Sequence, residues 1–262
     1  MTGLAVRLRI LITNDDGINA TGLKVLETIA RHFSEDVWIV APEHDQSAVG
    51  HSLTLRMPFR VKEISEKKYA LSGTPTDCVL TAIRQLMVGN LPDLVLSGVN
   101  YGANIAEDVT YSGTVAAALE ATILGIPAIA LSLTIDPGHP AKWATAEHWG
   151  PKVVERVLEL PIPEQILINV NFPDAVYKSV EGIKITRQGQ RKCFDLIYER
   201  KDPRGIPYYW IGPGDQRYGN MKECAEAGTD IEAISSKYIS VTPLSLDMTH
   251  TKTFEQLKEL FS

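Results

Sequence analysis

Leu8-Arg9-Ile10-Leu11-Ile12-Thr13-Asn14-Asp15-Asp16-Gly17 carries a short apolar run into a polar, glycine-ended turn. A short apolar run that stops in a polar turn with glycine reads as a buried strand ending in a tight loop. Behind it, Leu23, Leu26, Ile29, Ala30 and Phe33 fall on one helical face, and residues 37–41 form a second apolar run. Strand, helix, strand in such quick succession predicts parallel strands joined by a crossover helix.

The alternation continues outward to about residue 135. Residues 53–64 and 69–72 read as a hairpin, 77–88 as a helix, and 93–97 as a strand buried on both faces. Residues 114–124 and 128–132 add a helix and a strand. The fold class is therefore α/β, with a doubly wound, Rossmann-like, mostly parallel sheet over residues 1–160. Residues 161–262 form a C-terminal extension with strands at 166–170, 183–186, 208–211 and 238–241 and a closing helix at 252–260. Within it, residues 187–222 carry eight Lys/Arg against four Asp/Glu and six aromatics: Phe194, Tyr198, Tyr208, Tyr209, Trp210 and Tyr218. Too few aliphatics for a core and too many aromatics for a solvated loop suit a protruding hairpin that packs on, or exchanges with, another subunit. A charged surface hairpin with no partner is the plainer alternative.

Composition sets limits on function. The chain has 262 residues, 44% hydrophobic and 22% charged, with a net charge of −6. At roughly 150 residues per domain this allows one large domain or one and a half. The three cysteines, Cys78, Cys193 and Cys224, are odd in number and far apart, which suggests neither a disulfide framework nor a zinc knuckle and fits a reducing cytoplasm. The opening, where Arg7 and Arg9 precede a short apolar run and two aspartates, does not read as a signal peptide. Residues 114–135 hold a single charge, Glu120, but Gly125 and Pro127 split them into helix and strand, so no membrane partner is expected.

In a wound parallel sheet, ligands sit at the carboxyl ends of the strands, so the loops there carry the chemistry. Adjacent residues on a strand point to opposite faces, and Asp15 and Asp16 can converge only if the chain leaves the strand there, which Gly17 permits. Two carboxylates held together form a seat for a hard divalent cation; the competing reading is a polar turn. The loop after the second strand offers Ser47, for a metal or a phosphate, and His44 and His51, which as loop histidines are ordinarily exposed. After the third central strand, Asn100 can give an amide oxygen to a metal and Asn104 can donate to a phosphoryl oxygen. Ser112-Gly113-Thr114 opens a helix, where free N–H groups and the dipole favour an anion, although Ser112 is equally suited to be a plain N-cap. Thr74-Pro75-Thr76-Asp77 reads as a capping box. Oxygen ligands without His or Cys favour Mg²⁺ or Mn²⁺, with Ca²⁺ also accommodated, over Zn²⁺. A metal beside a phosphate cradle points to phosphate ester hydrolysis.

Several blocks occur in order from about Leu8 to Leu246: Asn14-Asp15-Asp16-Gly17, Ala41-Pro42 through Ser47 with Ser52-Leu53-Thr54, Gly73-Thr74-Pro75-Thr76-Asp77-Cys78, Ser97-Gly98-Val99-Asn100, Tyr111-Ser112-Gly113-Thr114-Val115-Ala116-Ala117-Ala118, and Ser240-Val241-Thr242-Pro243-Leu244. Together they resemble the stationary-phase survival protein SurE family. The resemblance implies a cytoplasmic, divalent-metal-dependent 5′/3′-nucleotidase acting on nucleoside monophosphates, with metal ligands Asp15, Asp16, Ser47 and Asn100. It further implies phosphate contacts from Asn104 and from Ser112, Gly113 and Thr114, and self-association into dimers or tetramers through C-terminal arms. The mechanism expected of these groups gives catalytic roles to Asp15 and Asp16, one of which orients or deprotonates a water, and to Asn104, which stabilises phosphoryl charge. Two positions depart from the family pattern: Ala48 and Lys237 stand where glycine is usual.

Two other function classes compete. A receiver-type signalling domain also has an acidic pair after its first strand, but it needs an aspartate at the end of the third strand and a lysine after the fifth, where this chain has Gly98, Asn100 and Ser132-Leu133-Thr134. Nucleic-acid binding through the basic aromatic segment is opposed by the overall acidity.

Overall fold

The computed structural model describes residues 8–136, 138–190, 196–212 and 225–262. Phe194, Tyr218, Cys193 and Cys224, and the N-terminal seven residues, lie outside the described residues.

The first apolar run forms β1 (Arg9–Thr13), and its alternation assigns the two faces of the sheet. Ile10 and Ile12 join one buried cluster, Leu11 the other. The elements that follow are α1 (Thr21–Arg31), β2 (Asp36–Pro42), β3 (Val61–Ser65), β4 (Lys68–Leu71), α2 (Pro75–Thr81), β5 (Leu94–Tyr101), α3 (Gly113–Ile123) and β6 (Ala128–Leu133). Then come α4 (Trp143–Leu158), β7 (Ile166–Phe172), β8 (Gly182–Ile185), β9 (Leu196–Lys201), β10 (Pro207–Gly212), α5 (Asp230–Ser235), β11 (Tyr238–Ser245) and α6 (Thr251–Phe261).

Nine strands make one sheet in the order β3-β4-β2-β1-β5-β6-β7-β11-β8. Every pairing is parallel except β3 with β4 and β7 with β11. This is the doubly wound α/β sheet expected. Strands that follow residue 160, β7, β8 and β11, continue the same sheet. The chain winds from β1 toward β2 and β4, then crosses back to β5, so the sheet reverses direction between β1 and β5. Carboxyl ends at such a reversal leave a crevice, because the loops on either side lead away from each other.

Helices cover both faces. The face of Ile10, Ile12, Leu94, Leu96 and Ile129 packs on Leu23, Leu26 and Ile29 of α1 and Ala146, Val153 and Val154 of α4. The face of Leu11, Val40 and Val95 packs on Cys78 and Val79 of α2 and Val115, Ala118 and Ala121 of α3. Close approach needs glycine at two points. A Cβ on Gly22 of α1 would lie 1.9 Å from the Val99 carbonyl oxygen, and one on Gly98 would lie 2.1 Å from that of Leu131.

Some local readings shift. The strand expected from residue 53 begins only at Val61: Pro58 interrupts the run, and Thr54 turns its N–H and hydroxyl onto the Asp77 carboxylate instead of a neighbouring strand. That carboxylate also accepts from the Thr74 N–H, completing the capping box. The helix at 77–88 is α2 followed by a wider π turn over Ala82–Leu86. β5 runs on past residue 97 through an irregular register step to Tyr101. α4 and α5 are additional helices; Pro151 inside α4 obscures its buried spacing of Ala146, Gly150, Val153 and Val154. Among the described residues, no helix is long and apolar enough to cross a membrane.

Ala48 and Lys237, the two positions where glycine was expected, both lie in left-handed backbone, each at φ 61°. Lys237 follows the C-cap of α5, a position where glycine avoids the clash of a Cβ with the backbone. Relief of about 1–2 kcal/mol of strain, less about 0.4–1 kcal/mol from the freer unfolded chain, predicts that Lys237→Gly raises stability by about 0.5–1 kcal/mol. Urea denaturation measures it; a loss of stability would show that the lysine stem contributes more packing than the strain costs.

Candidate active site

Gly17, at φ 100°, turns the chain out of β1, and the Asn14 amide donates to the Gly17 carbonyl at 3.0 Å to close the turn. Asp15 is left 3% exposed at the strand tip. Its Oδ1 accepts from the Thr114 hydroxyl, and a Cβ on Gly113 would sit 2.8 Å from the Asp15 Cβ. Asp15 therefore touches the first turn of α3. Asp16 is partly buried and its Oδ2 accepts from the Tyr101 N–H at 3.1 Å, which ties the β1 turn to the end of β5.

Burial raises the Asp15 carboxyl from 3.8 to about 6; the Thr114 hydroxyl pulls it back and the charge of Asp16 adds to the rise. Burial likewise raises Asp16, opposed by the Tyr101 N–H and reinforced by the charge of Asp45. Among the described residues neither aspartate has a Lys or Arg partner.

A cavity of about 570 Å³ opens beside them, lined by Asp15, Ser47, Asn100, Asn104, Ser112 and Tyr101 among others. Ser47 is exposed, and both its N–H and its hydroxyl donate to Asp45 Oδ1, at 2.7 and 2.6 Å, so its oxygen lone pairs remain available. Asn100 commits its Nδ2 to the Gly102 carbonyl at 2.9 Å, which leaves its amide oxygen as the free group. Ser112 is the N-cap of α3, accepting from the Val115 N–H. The cap and the cavity wall are thus the same residue, and the two readings of Ser112 coexist.

Asn104 differs from the simple picture of a free donor. One Nδ2 hydrogen already goes to Ser132 Oγ at 2.8 Å, so a single amide hydrogen is left over. Its backbone is fixed from β7: Asn171 Oδ1 accepts from its N–H, and the Nδ2 groups of Asn169 and Asn171 donate to its carbonyl. Sequence reasoning missed this support. Its signal was legible, two asparagines at alternate positions of an otherwise apolar strand. Tyr101 and Tyr111, 57% and 64% exposed, and Ile211 of β10 also line the cavity and had not been singled out.

The histidines fall elsewhere. His44 is exposed in the loop after β2, and His51 sits behind Ser112, its Nε2 3.0 Å from Glu120 Oε2. A third cluster, Asp136, His139 and Asp174, lies at the ends of β6 and β7 and brings three possible ligand atoms within 4.8 Å of one another.

The model of the family described as survival protein SurE matches residues 10–195. The chain belongs to the SurE family. A protein of Paramagnetospirillum magneticum named 5′-nucleotidase SurE is 59% identical over 254 residues, 97% of this chain and 96% of that one. Another of that name, from Parvibaculum lavamentivorans, is 51% identical over 255 residues, covering 96% and 90%. The crystal structure of the SurE protein from Aquifex aeolicus matches with a TM-score of 0.82 at 40% identity, over 97% of this chain and 100% of that one. The SurE fold accounts for the nine-stranded sheet.

The buried acid makes a pH prediction for the metal-free SurE chain. With a folded value of about 6 against 3.8, the folded state holds an extra proton between those values, so stability is greatest below them and falls as pH rises through 6. Asp15→Asn removes that charge. Metal-free, the variant should be more stable than wild type at pH 7.5 and should lose this advantage at pH 4; urea melts at the two pH values give the comparison, and an unchanged difference would remove Asp15 as its source.

Proposed function

We propose that this SurE protein is a divalent-metal-dependent phosphomonoesterase that hydrolyses nucleoside monophosphates to nucleoside and phosphate. The observation that carries the reading is the buried Asp15 beside the partly buried Asp16, neither with a Lys or Arg partner among the described residues, at a cavity that Asp15, Asn104 and the α3 N-cap Ser112 line. The printed names of the relatives, 5′-nucleotidase SurE, agree with it.

The donor set fits a hard cation: two carboxylates, the Asn100 amide oxygen and the Ser47 hydroxyl oxygen. Asp15, Asp16, Ser47 and Asn100 would hold one Mg²⁺ or Mn²⁺. When bound, that ion supplies Lewis-acid polarisation of a phosphoryl oxygen and a lowered pKa for nearby water. The chain's own residues do the rest. Asp15 or Asp16 orients a water and takes its proton as the water oxygen attacks phosphorus, and as the ester P–O bond breaks the departing alkoxide takes up that proton and leaves as the hydroxyl. The remaining Asn104 amide hydrogen and the N–H groups of Gly113 and Thr114 at the positive end of α3 stabilise charge on the phosphoryl oxygens. Ser132, by holding the other Asn104 hydrogen, fixes the direction of the donor. An aspartyl-phosphate route would have a carboxylate oxygen displace the ester oxygen at phosphorus and a water then displace the carboxylate; two in-line displacements retain configuration at a chiral phosphorus, whereas direct attack by water inverts it.

The test begins with chelated protein, to which Mg²⁺, Mn²⁺, Ca²⁺ and Zn²⁺ are returned singly before assay on a panel of nucleoside monophosphates and an aryl phosphate. Asp16→Asn should lose metal binding and turnover together with the fold intact, and full activity in that variant would refute the assignment. Asn104→Ala should lower kcat by about 10²–10³-fold.

We further propose that the chain self-associates through the arm at 187–222. β9 and β10 pair only with each other among the described residues, and Tyr209, Trp210 and Ile211 are 60%, 64% and 77% exposed. An isolated two-stranded ribbon with apolar faces is marginal on its own. Replacing residues 196–212 with a short Gly-Ser linker should lower the mass measured by light scattering at constant concentration; an unchanged mass counts against the arm. The cysteine pattern, with Cys78 buried as a free thiol, supports a cytoplasmic setting.

A further inference from the structure

We propose that Asp136, His139 and Asp174 form a second divalent-cation site, separate from the carboxylate pair and suited to a first-row transition ion. The topology creates it. β6 and β7 are parallel neighbours in register, Leu133 opposite Phe172, and the Thr134 N–H donates to the Phe172 carbonyl at 2.9 Å just beyond them. Residues a few positions further on, Asp136 and Asp174, therefore emerge side by side at the same edge. A turn in which the His139 N–H donates to the Asp136 carbonyl at 3.1 Å returns the imidazole to the two acids. One ligand atom from each of the three lies within 4.8 Å of the others, so small side-chain rotations bring them to the separation of about 3–3.5 Å that neighbouring donors have on one ion.

A second observation points to a ligand. The Asp174 side chain is 6% exposed; its Oδ1 binds Lys142 Nζ at 2.6 Å, whereas its Oδ2 is buried with no hydrogen-bond partner. A carboxylate oxygen without solvent or donor is costly. Lys142 offsets one negative charge, but with Asp136 the cluster retains a net charge of −1 when the imidazole is neutral. One imidazole and two carboxylates make a mixed nitrogen and oxygen set, which suits Zn²⁺, Co²⁺ or Mn²⁺ better than Mg²⁺. β6 and β7 lie two and three strands from β1, roughly 10–14 Å at ordinary strand spacing, so the two sites do not share ligands. An ion here would tie the loop after β6, which leads into Trp143 and its ring contact with Tyr101 at 6.2 Å, to the loop after β7.

Co²⁺ is the probe, because its visible absorption reports nitrogen and oxygen coordination directly, without any assay of turnover. Full-length protein is stripped with chelator, saturated with Mg²⁺ to fill the carboxylate site, and titrated with Co²⁺. Wild type and Asp16→Asn should both take up one equivalent with a visible band and a rise in Tm. His139→Ala and Asp136→Asn, both exposed positions whose replacement leaves the core untouched, should lose that equivalent. The proposal is overturned if wild type shows no band, if either exposed variant binds Co²⁺ like wild type, or if Asp16→Asn abolishes the signal.

Discussion

The contact between the first turn of α3 and the tip of β1 is the constraint on which the rest of the site depends. Gly113 has no room for a Cβ against Asp15, and Thr114 gives its hydroxyl to the same carboxylate. A helix can approach a buried acid this closely only with its N-terminus, where free N–H groups and the dipole favour negative charge. The approach fixes where α3 lies on the sheet, and the small side chains Ala118 and Ala121 let it settle against β5 and β6. It also leaves two carboxylates short of water and, among the described residues, without a Lys or Arg partner; burial and their mutual repulsion both favour the protonated form, which is why the Asp15 carboxyl is pushed up.

The opposite wall is held by polar groups drawn from distant parts of the chain. Asn169 and Asn171 of β7 grip the Asn104 backbone, Ser132 of β6 grips its side chain, and the Asp230 carboxylate accepts from the N–H groups of Ala106 and Gly189. Asp230 is raised by burial, opposed by those same bonds. Gln188 adds a bond to the Ala106 carbonyl at 2.7 Å. Each such bond contributes about 1 kcal/mol net, but their combined effect is positional. The loop between β5 and α3 carries a short 3₁₀ turn over Ala106–Thr110, and these bonds fix the chain at Asn104 and Ala106, where that turn begins. They also tie Gln188 and Gly189 to the Ala106 carbonyl and the Asp230 carboxylate beside that wall.

Much was legible because strand periodicity and glycine placement are local. The acidic pair after a buried run, the capping box at Thr74 and Asp77, and the glycine-led start of α3 follow from short-range physics, and the structure reproduces them. Longer-range competition was not legible. Thr54 reads as part of a strand until Asp77, far along the chain, claims its hydroxyl. α4 reads poorly because Pro151 interrupts an otherwise regular buried face. Ala48 and Lys237 read as departures from an expected glycine, and only the backbone shows that both sit in the left-handed region that glycine enters without strain.

Local spacing is enough for the winding of the sheet and the chemical character of its edge: apolar periodicity selects strands and helices, and carboxylates, amides and small hydroxyls cluster after the strands. Which of those groups share a volume, and which lone pairs are left over, follows from how the elements pack. Asn100 is free through its oxygen because Gly102 occupies its nitrogen, Asn104 has one hydrogen to spare because Ser132 takes the other, and Asp174 meets Asp136 because β6 and β7 end in register. Those outcomes depend on contacts between residues far apart in the chain, and no local spacing encodes them.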